Sequence, residues 1–226
     1  MFSQFEYTKN HFKSKTLRYT THMSRTKIGF FGGTFDPPHL GHLILASEAA
    51  QQFELDRLLW VLTPDPPHKL NQKITPFEHR LEMLQSMIAK NPVFELSRLD
   101  IDRPGPHYAI DAVRLLIEQE PEADIHLLMG GDSLNDLPNW RLSTDLIAAV
   151  SKIGVMPRPG SIFNLPTLEE KLPGLSNKLV WIDALVNAVS SRELRGRIAK
   201  KGVYRYYFPS VVYEYIEKHN LYHEIL

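Results

Sequence analysis

No cysteine occurs in the 226 residues, which removes disulfide staples, thiolate metal sites and cysteine nucleophiles and is compatible with a reducing compartment. Net charge is missing too, because Lys and Arg total 26 and Asp and Glu also total 26. A balanced chain has no global field to attract DNA, RNA or an anionic membrane, so none of these is an expected partner and phosphate binding has to be local. No apolar run approaches the roughly 20 residues that cross a bilayer. Two familiar nucleotide loops are absent as well: there is no Gly-x-x-x-x-Gly-Lys-Ser/Thr, and no Gly-x-Gly-x-x-Gly follows a strand. What is present is ordinary for a globular protein with a real core: 43% hydrophobic residues and a length that suits one sizeable domain. A cytoplasmic location is expected.

Residues 1–26 read differently from the rest. Lys9, Lys13, Lys15, Arg18 and Arg25 face only Glu6, Ser and Thr are frequent, and no apolar periodicity runs through them. The segment lacks the apolar core of a secretory signal. It is expected to be a disordered extension, or to precede a start at Met23; a transit peptide shares its composition. Residues 27–226 are expected to form the domain.

The chain is organised around Phe30 to Leu43, Phe-Phe-Gly-Gly-Thr-Phe-Asp-Pro-Pro-His-Leu-Gly-His-Leu. Lys27–Phe31 has the length and apolarity of a buried strand, Gly32 and Gly33 permit a sharp turn, and Asp36-Pro37-Pro38 supplies cap residues for a helix. His39 and His42 then share one face of the first turn, beside backbone amides without helical partners and at the positive end of the dipole. A polyphosphate suits that position. A lone histidine near a helix start is more often a surface or satisfied core residue. The full pattern Gly-x-Phe-x-Pro-x-His-x-Gly-His, however, resembles the nucleotidyltransferase superfamily, whose members join a nucleoside triphosphate to a phosphate-bearing substrate.

Beyond the histidines, apolar residues from Leu40 to Phe53 recur at helical spacing and Arg57–Leu62 reads as a buried strand, with Trp60 in the core. Strand-helix-strand repeats predict an α/β fold: a Rossmann-like, doubly wound parallel sheet with helices on both faces, ligands at the carboxyl ends of its strands, and a small C-terminal helical part. Thr63-Pro-Asp-Pro-Pro-His-Lys69 leaves the same sheet edge as the histidine turn; it fits equally a solvated proline loop and a stiff loop aiming His68 and Lys69 into a cleft. A helix is expected over 76–90, with Arg80 exposed or at the cleft edge, then a strand over 93–96. A helix starting near Ala109 leaves Tyr108 at its junction, either packed or presenting its backbone.

Ile125–Met129 reads as a strand emptying into Gly130-Gly131-Asp132-Ser133. Asp132 there either accepts from ribose hydroxyls or, like Ser133, caps a helix. Trp140, in Pro-Asn-Trp-Arg, either joins the core or stacks on a flat ring. Strands are expected over 152–156 and 179–182. The intervening 157–177 is irregular and suggests no chemistry. Near the C-terminus, Val189-Ser-Ser-Arg-Glu-Leu-Arg195 reads as a strand end followed by a serine-capped helix, with Arg195 placed to clamp a phosphate.

Read in order, Gly-Gly-Thr-Phe-Asp-Pro-Pro-His-Leu-Gly-His, Thr-Pro-Asp-Pro-Pro-His-Lys, Met-Gly-Gly-Asp-Ser-Leu through Asn-Trp, Val-Ser-Ser-Arg-Glu-Leu-Arg and Phe-Pro-Ser-Val-Val-Tyr-Glu-Tyr-Ile resemble bacterial nicotinate-nucleotide adenylyltransferases from Lys27 to Tyr222. That resemblance implies adenylyl transfer from ATP to nicotinate mononucleotide, giving deamido-NAD and pyrophosphate. Mg2+ would arrive with ATP, and a homo-oligomer is compatible with it. It places His42 on the α-phosphate, with His39, Ser190, Ser191 and Arg195 on the other phosphates. Gly32, Gly33, Thr34 and Phe35 would line the nucleotide, Asp132 a ribose, and Lys69 the reacting phosphates. Thr34, Lys69, Tyr108, Ala109, Trp140 and Arg141 would form the pyridine nucleotide side. Three positions depart from the family pattern: Arg192 where Thr is frequent, Ala109-Ile-Asp-Ala112 where Thr-x-Asp-Thr is common, and Phe208 in place of Leu. The same chemistry on nicotinamide mononucleotide, a phosphopantetheine adenylyltransferase, and a nucleotide sensor without turnover are the alternatives.

Overall fold

The computed structural model describes residues 25–66, 73–185 and 188–224. Six strands form one sheet in the order β3-β2-β1-β4-β5-β6, every neighbouring pair parallel. They are β1 (Lys27–Gly33), β2 (Arg57–Leu62), β3 (Phe94–Ser97), β4 (Asp124–Gly130), β5 (Lys152–Met156) and β6 (Leu179–Trp181). Between them lie α1 (Leu40–Gln52), α2 (Phe77–Ile88), α3 (Ala109–Gln119), α4 (Gly131–Asp136), α5 (Ser143–Ala149), α6 (Leu165–Lys171) and α7 (Leu175–Lys178), followed by α8 (Ser191–Ala199) and α9 (Ser210–Lys218). Strand order reverses between β1 and β4, so the crevice that such sheets use for ligands opens there, at the carboxyl ends of these two strands.

Strands covered on both faces must be apolar on both sides, and the residues divide by parity. Phe31, Leu58, Trp60, Leu62 and Leu128 join the core under α1, α2, α8 and α9; Ile28, Phe30, Leu59, Val61, Ile125 and Leu127 join the core under α3, α5 and α6. The small C-terminal part is α9, which packs on α2.

Three helix ends share one device. At the ends of α1, α8 and α9, paired reverse hydrogen bonds close the last turn: Leu55 N to Ala50 O with Glu54 N to Gln51 O, Gly202 N to Arg197 O with Lys201 N to Ile198 O, and Leu221 N to Ile216 O with Asn220 N to Glu217 O. The left-handed residue this closure needs is Glu54, Lys201 or Asn220, although glycine would adopt that conformation with least strain.

Several expectations are corrected. β1 continues through Gly32 and Gly33, which pair with Val61 and Leu62, so the turn comes later, over 34–38. The segment 157–177 holds α6 and α7 and is not irregular throughout. No strand is assigned at 188–190, and the last strand ends at Trp181. Among the described residues no helix is long and apolar enough to cross a membrane. Residues 1–24, including most of the basic segment, lie outside the described residues, as do His68 and Lys69.

Candidate functional site: the crevice between β1 and β4

The histidine turn is built on a left-handed residue. Phe35 has φ 46°, which a side chain tolerates only when the surroundings compensate. Here the ring, 3% exposed, packs edge-on to Phe31 at 5.5 Å and against Trp60 at 5.4 Å. Gly33 allows that approach, since a Cβ there would lie 2.9 Å from the Phe35 ring. The Phe35 side chain is therefore core, and only its backbone is left to line a nucleotide.

His39, not the Asp36-Pro37-Pro38 segment, is the cap of α1, with extended backbone, and His42 stands one turn in. The His39 amide donates to Nδ1 of His42 at 3.2 Å; with Nδ1 accepting, the ring hydrogen of the neutral tautomer sits on Nε2. The two rings stack with centroids 3.7 Å apart. His39 is 1% exposed, and neither of its ring nitrogens has a hydrogen-bond partner among the described residues. Burial, then the neighbouring His42 and Arg158, hold its pKa well below the ordinary histidine range. It is neutral at physiological pH, with polar atoms enclosed at a helix start where anions are favoured.

The second jaw is α8, and it is tied to the first directly. Ser191 Oγ donates to the Pro37 carbonyl at 2.8 Å and Arg195 Nη1 donates to the Asp36 carbonyl at 2.6 Å. Ser190 caps α8 by accepting from Glu193 N at 3.2 Å, which leaves its own O–H to donate. Arg192 is exposed on the first turn.

Arg80, expected to be exposed or at the cleft edge, lies beside the crevice but is buried. It is 2% exposed, and its guanidinium donates to the carbonyls of Thr75, Thr34, Thr63 and Pro64 at 2.7 to 3.0 Å. One side chain thus joins the histidine turn, the root of the Pro-Pro-His-Lys loop and the approach to α2. Asp36, 5% exposed, completes the node: one carboxylate oxygen accepts from Thr75 N at 3.3 Å, the other from the Tyr222 hydroxyl at 2.7 Å.

Across the crevice, Gly130 is the cap of α4, and neither Asp132 nor Ser133 plays that part. Asp132 is paired with Arg158 at 2.6 Å, a residue that the sequence reading passed over because no periodicity marks its loop. Gly131 leaves room here for the Phe163 ring, which a Cβ would meet at 2.8 Å. Tyr108 is the cap of α3, so the Ala109 amide opens that helix, and the Arg141 guanidinium lies 5.1 Å from the Tyr108 ring. Trp140 is half-buried against the core, with Nε1 donating to Asp136 at 3.3 Å. Leu142, next along, is left-handed at φ 50°.

The structure thus brings Gly32–His42, Ser190, Ser191 and Arg195 to one lip, and Asp132 with Arg158 to the other. Tyr108, Ala109, Trp140 and Arg141 form a neighbouring group. Arg158 and Tyr222 were missed, and Arg80 was expected only as an exposed or cleft-edge charge. For Arg80 a signal existed: it lies four residues before Leu84 and seven before Met87, on the buried face of α2. Among the described residues no cluster of three His, Cys, Asp or Glu side chains suits a metal ion.

A parallel sheet reversed at β1/β4, with a histidine helix start and a serine-arginine helix start tied together over its crevice, defines a nucleotide-binding α/β protein of the nucleotidyltransferase kind. The sequence signature of the cytidylyltransferase-like family matches residues 30–197. The chain is 42% identical to a Roseiflexus sp. (strain RS-1) protein named probable nicotinate-nucleotide adenylyltransferase, over 88% of this chain and 100% of that one. It is 39% identical to a Thermomicrobium roseum protein of the same name, over 88% and 93%. The chain belongs to the cytidylyltransferase-like family and, within it, to the nicotinate-nucleotide adenylyltransferases. The fold also matches the solved structure of a Plasmodium falciparum nicotinic acid mononucleotide adenylyltransferase, with TM-score 0.73 at 21% identity over 88% of this chain and 98% of that one.

Proposed function

We propose that residues 27–226 form a nucleotidyltransferase domain that transfers the adenylyl group of ATP to nicotinate mononucleotide, releasing pyrophosphate and giving deamido-NAD. The observation that carries this reading is the tie between the jaws, Ser191 to Pro37 and Arg195 to Asp36. It supports a single phosphate site made from the two ends of the chain. A phosphate oxygen of the mononucleotide attacks the α-phosphorus, and the bond from that phosphorus to the α,β-bridging oxygen breaks. The nucleophile is already ionised at neutral pH, so no general base is needed. Catalysis is alignment and charge stabilisation.

In this reading His42 donates from Nε2 to an α-phosphate oxygen, while Ser190, Ser191 and Arg195 hold the distal phosphates. His39, buried and neutral, acts as a hydrogen-bonding group and not as a cation. The backbone of Gly32 to Phe35 lines the nucleotide. Asp132 meets the ribose diol, which has to displace Arg158. Lys69 approaches the reacting phosphates. The Trp140 ring stacks on the pyridine, and the amides of Ala109 and Arg141 face its carboxylate, with Tyr108 and Thr34 beside them. Mg2+ enters as part of the Mg-ATP substrate, held by phosphate oxygens.

Pyrophosphate release from Mg-ATP tests this, with nicotinate mononucleotide, nicotinamide mononucleotide and phosphopantetheine as competing acceptors. A strong preference for the first is expected; turnover with another acceptor alone discards the pyridine pocket. His42→Ala is expected to lower kcat at least about 100-fold while moving KM far less. Near-normal turnover in that variant sinks the assignment of His42.

A further inference from the structure

Tyr222 lies in the last turn of the described chain, 186 residues from its hydrogen-bond partner Asp36. The left-handed Asn220 before it is explained by the closure of α9, but Tyr222 itself has φ 66°, and no helix end requires that. The two left-handed residues in three turn the chain so that the Tyr222 ring, 5% exposed, enters the core beside the histidine turn. Packing alone would be served by Phe. A buried hydroxyl costs free energy unless bonded, and this one is bonded to a carboxylate.

Asp36 has two sets of ties. Its carboxylate is held by Tyr222 and by Thr75 N, while its carbonyl holds Arg195. Arg195 therefore has a carboxylate on the very residue whose carbonyl it binds, and the guanidinium field reaches the Tyr222 hydroxyl. Should that carboxylate swing to Arg195, it would form an ion pair and neutralise the charge that the triphosphate needs.

We propose that Tyr222 is a positioning residue for adenylyl transfer, locking the Asp36 carboxylate away from Arg195 so that the guanidinium keeps its charge for the phosphates. This rests on the reading of Arg195 given above. The C-terminal tail is thereby part of the active-site assembly, although it touches no substrate.

The test compares wild type, Tyr222→Phe, and Tyr222→Phe combined with Asp36→Asn, with Tyr215→Phe as a control. Tyr215 is another C-terminal tyrosine, but its hydroxyl bonds His79 on α2 at 3.0 Å. For each protein kcat and KM for ATP, KM for nicotinate mononucleotide, affinity for α,β-methylene-ATP by calorimetry, and Tm are measured. Tyr222→Phe is expected to lower kcat/KM for ATP at least about tenfold with the acceptor KM little changed, and Tyr215→Phe to retain wild-type kinetics. Adding Asp36→Asn removes the competing charge and should restore kcat/KM to within about threefold of wild type, a rescue that lost stability alone would not give. Tyr222→Phe within about twofold of wild type, or a loss that Asp36→Asn does not restore, overturns the proposal. Absence of turnover in wild type would instead refute the acceptor assignment. The analogue affinities then decide: the same loss and rescue support the lock, and equal affinities overturn it.

Discussion

At the amino ends of β1 and β2 three cations meet carboxylates, and at the histidine turn, beyond the carboxyl end of β1, Arg80 and Arg195 meet carbonyls. Arg25 pairs with Asp124 at 3.3 Å, Lys27 with Glu54 at 2.7 Å, and Arg57 forks onto Glu95 at 2.9 Å and reaches Glu120 at 2.6 Å. Glu95 and Glu120 hold the Arg57 proton more tightly than usual. Across the sheet Arg80 is bound by four carbonyls and Arg195 by one. Both arrangements satisfy donors, but only the first cancels charge. A carbonyl fixes the direction of a guanidinium and leaves its field available to an anion. Ion pairs occur at the carboxyl end as well, Arg103 with Asp100 beyond β3 and Arg158 with Asp132 at the crevice, and the second is the pair that the proposed ribose contact of Asp132 would exchange.

The largest effect that tests this contrast is expected from Arg80→Met. It keeps the apolar stem and removes every donor from four carbonyls around a buried position, so urea unfolding should show a loss of about 3–5 kcal/mol. Arg80→Lys should recover only part, because an ammonium cannot reproduce the planar fork. A loss below about 1 kcal/mol in Arg80→Met would mean that the carboxyl-end loops are held by packing and not by this guanidinium.

Arg80 also shows where the sequence was legible. β2 and β5 were readable to the residue, because parallel strands covered on both faces are uninterrupted apolar runs. The histidine turn, the serine-capped α8 and the α/β class followed from local chemistry. The Gly32-Gly33 pair was misread as a turn since glycine usually weakens strands, whereas here the ladder to β2 carries both. Helix ends were blurred by Glu54 and Asn220 standing where glycine would have marked them. The ties that assemble the crevice, Arg195 to Asp36 and Tyr222 to Asp36, join residues at opposite ends of the chain, and no local pattern encodes them.

A middle-sized effect compares two buried histidines, one toward each end of the sheet. His126, on β4 beside the Phe53 ring at 5.3 Å, resembles His39 in that its ring nitrogens have no hydrogen-bond partner among the described residues. Burial lowers its pKa chiefly, with Lys27 and Lys152 adding to the shift and Asp124 opposing it. The unfolded chain takes up protons near pH 6.5 while the native rings stay neutral, so both histidines make stability fall as pH drops below about 6.5. Each contributes at most about 1.4 kcal/mol per pH unit, until the native ring protonates. His126→Leu should flatten that acid-side loss, read as urea midpoints between pH 7.5 and 5, and leave kcat unchanged because the ring is remote from the phosphates. An unaltered pH slope would show that His126 protonates in the folded protein as readily as in the unfolded one.

The smallest effect is expected at the amino end, from Glu95→Gln. Arg57 and Glu95 are each more than a third exposed, and such pairs contribute about 0–1 kcal/mol because water already solvates both charges. Arg57 also keeps Glu120 when Glu95 is neutralised, so the network is redundant in a way that the Asp36 node is not. Stability should therefore fall by about 0.5 kcal/mol at low salt and by less at high salt, with kcat and KM unaltered. A change in KM for ATP would contradict the division of labour, because it would mean that charge at the amino end reaches the phosphates across the length of the strands. An unchanged KM would show that this amino-end pair does no electrostatic work on the substrate, as expected if that work falls to Arg195, held by a carbonyl beside the histidine turn.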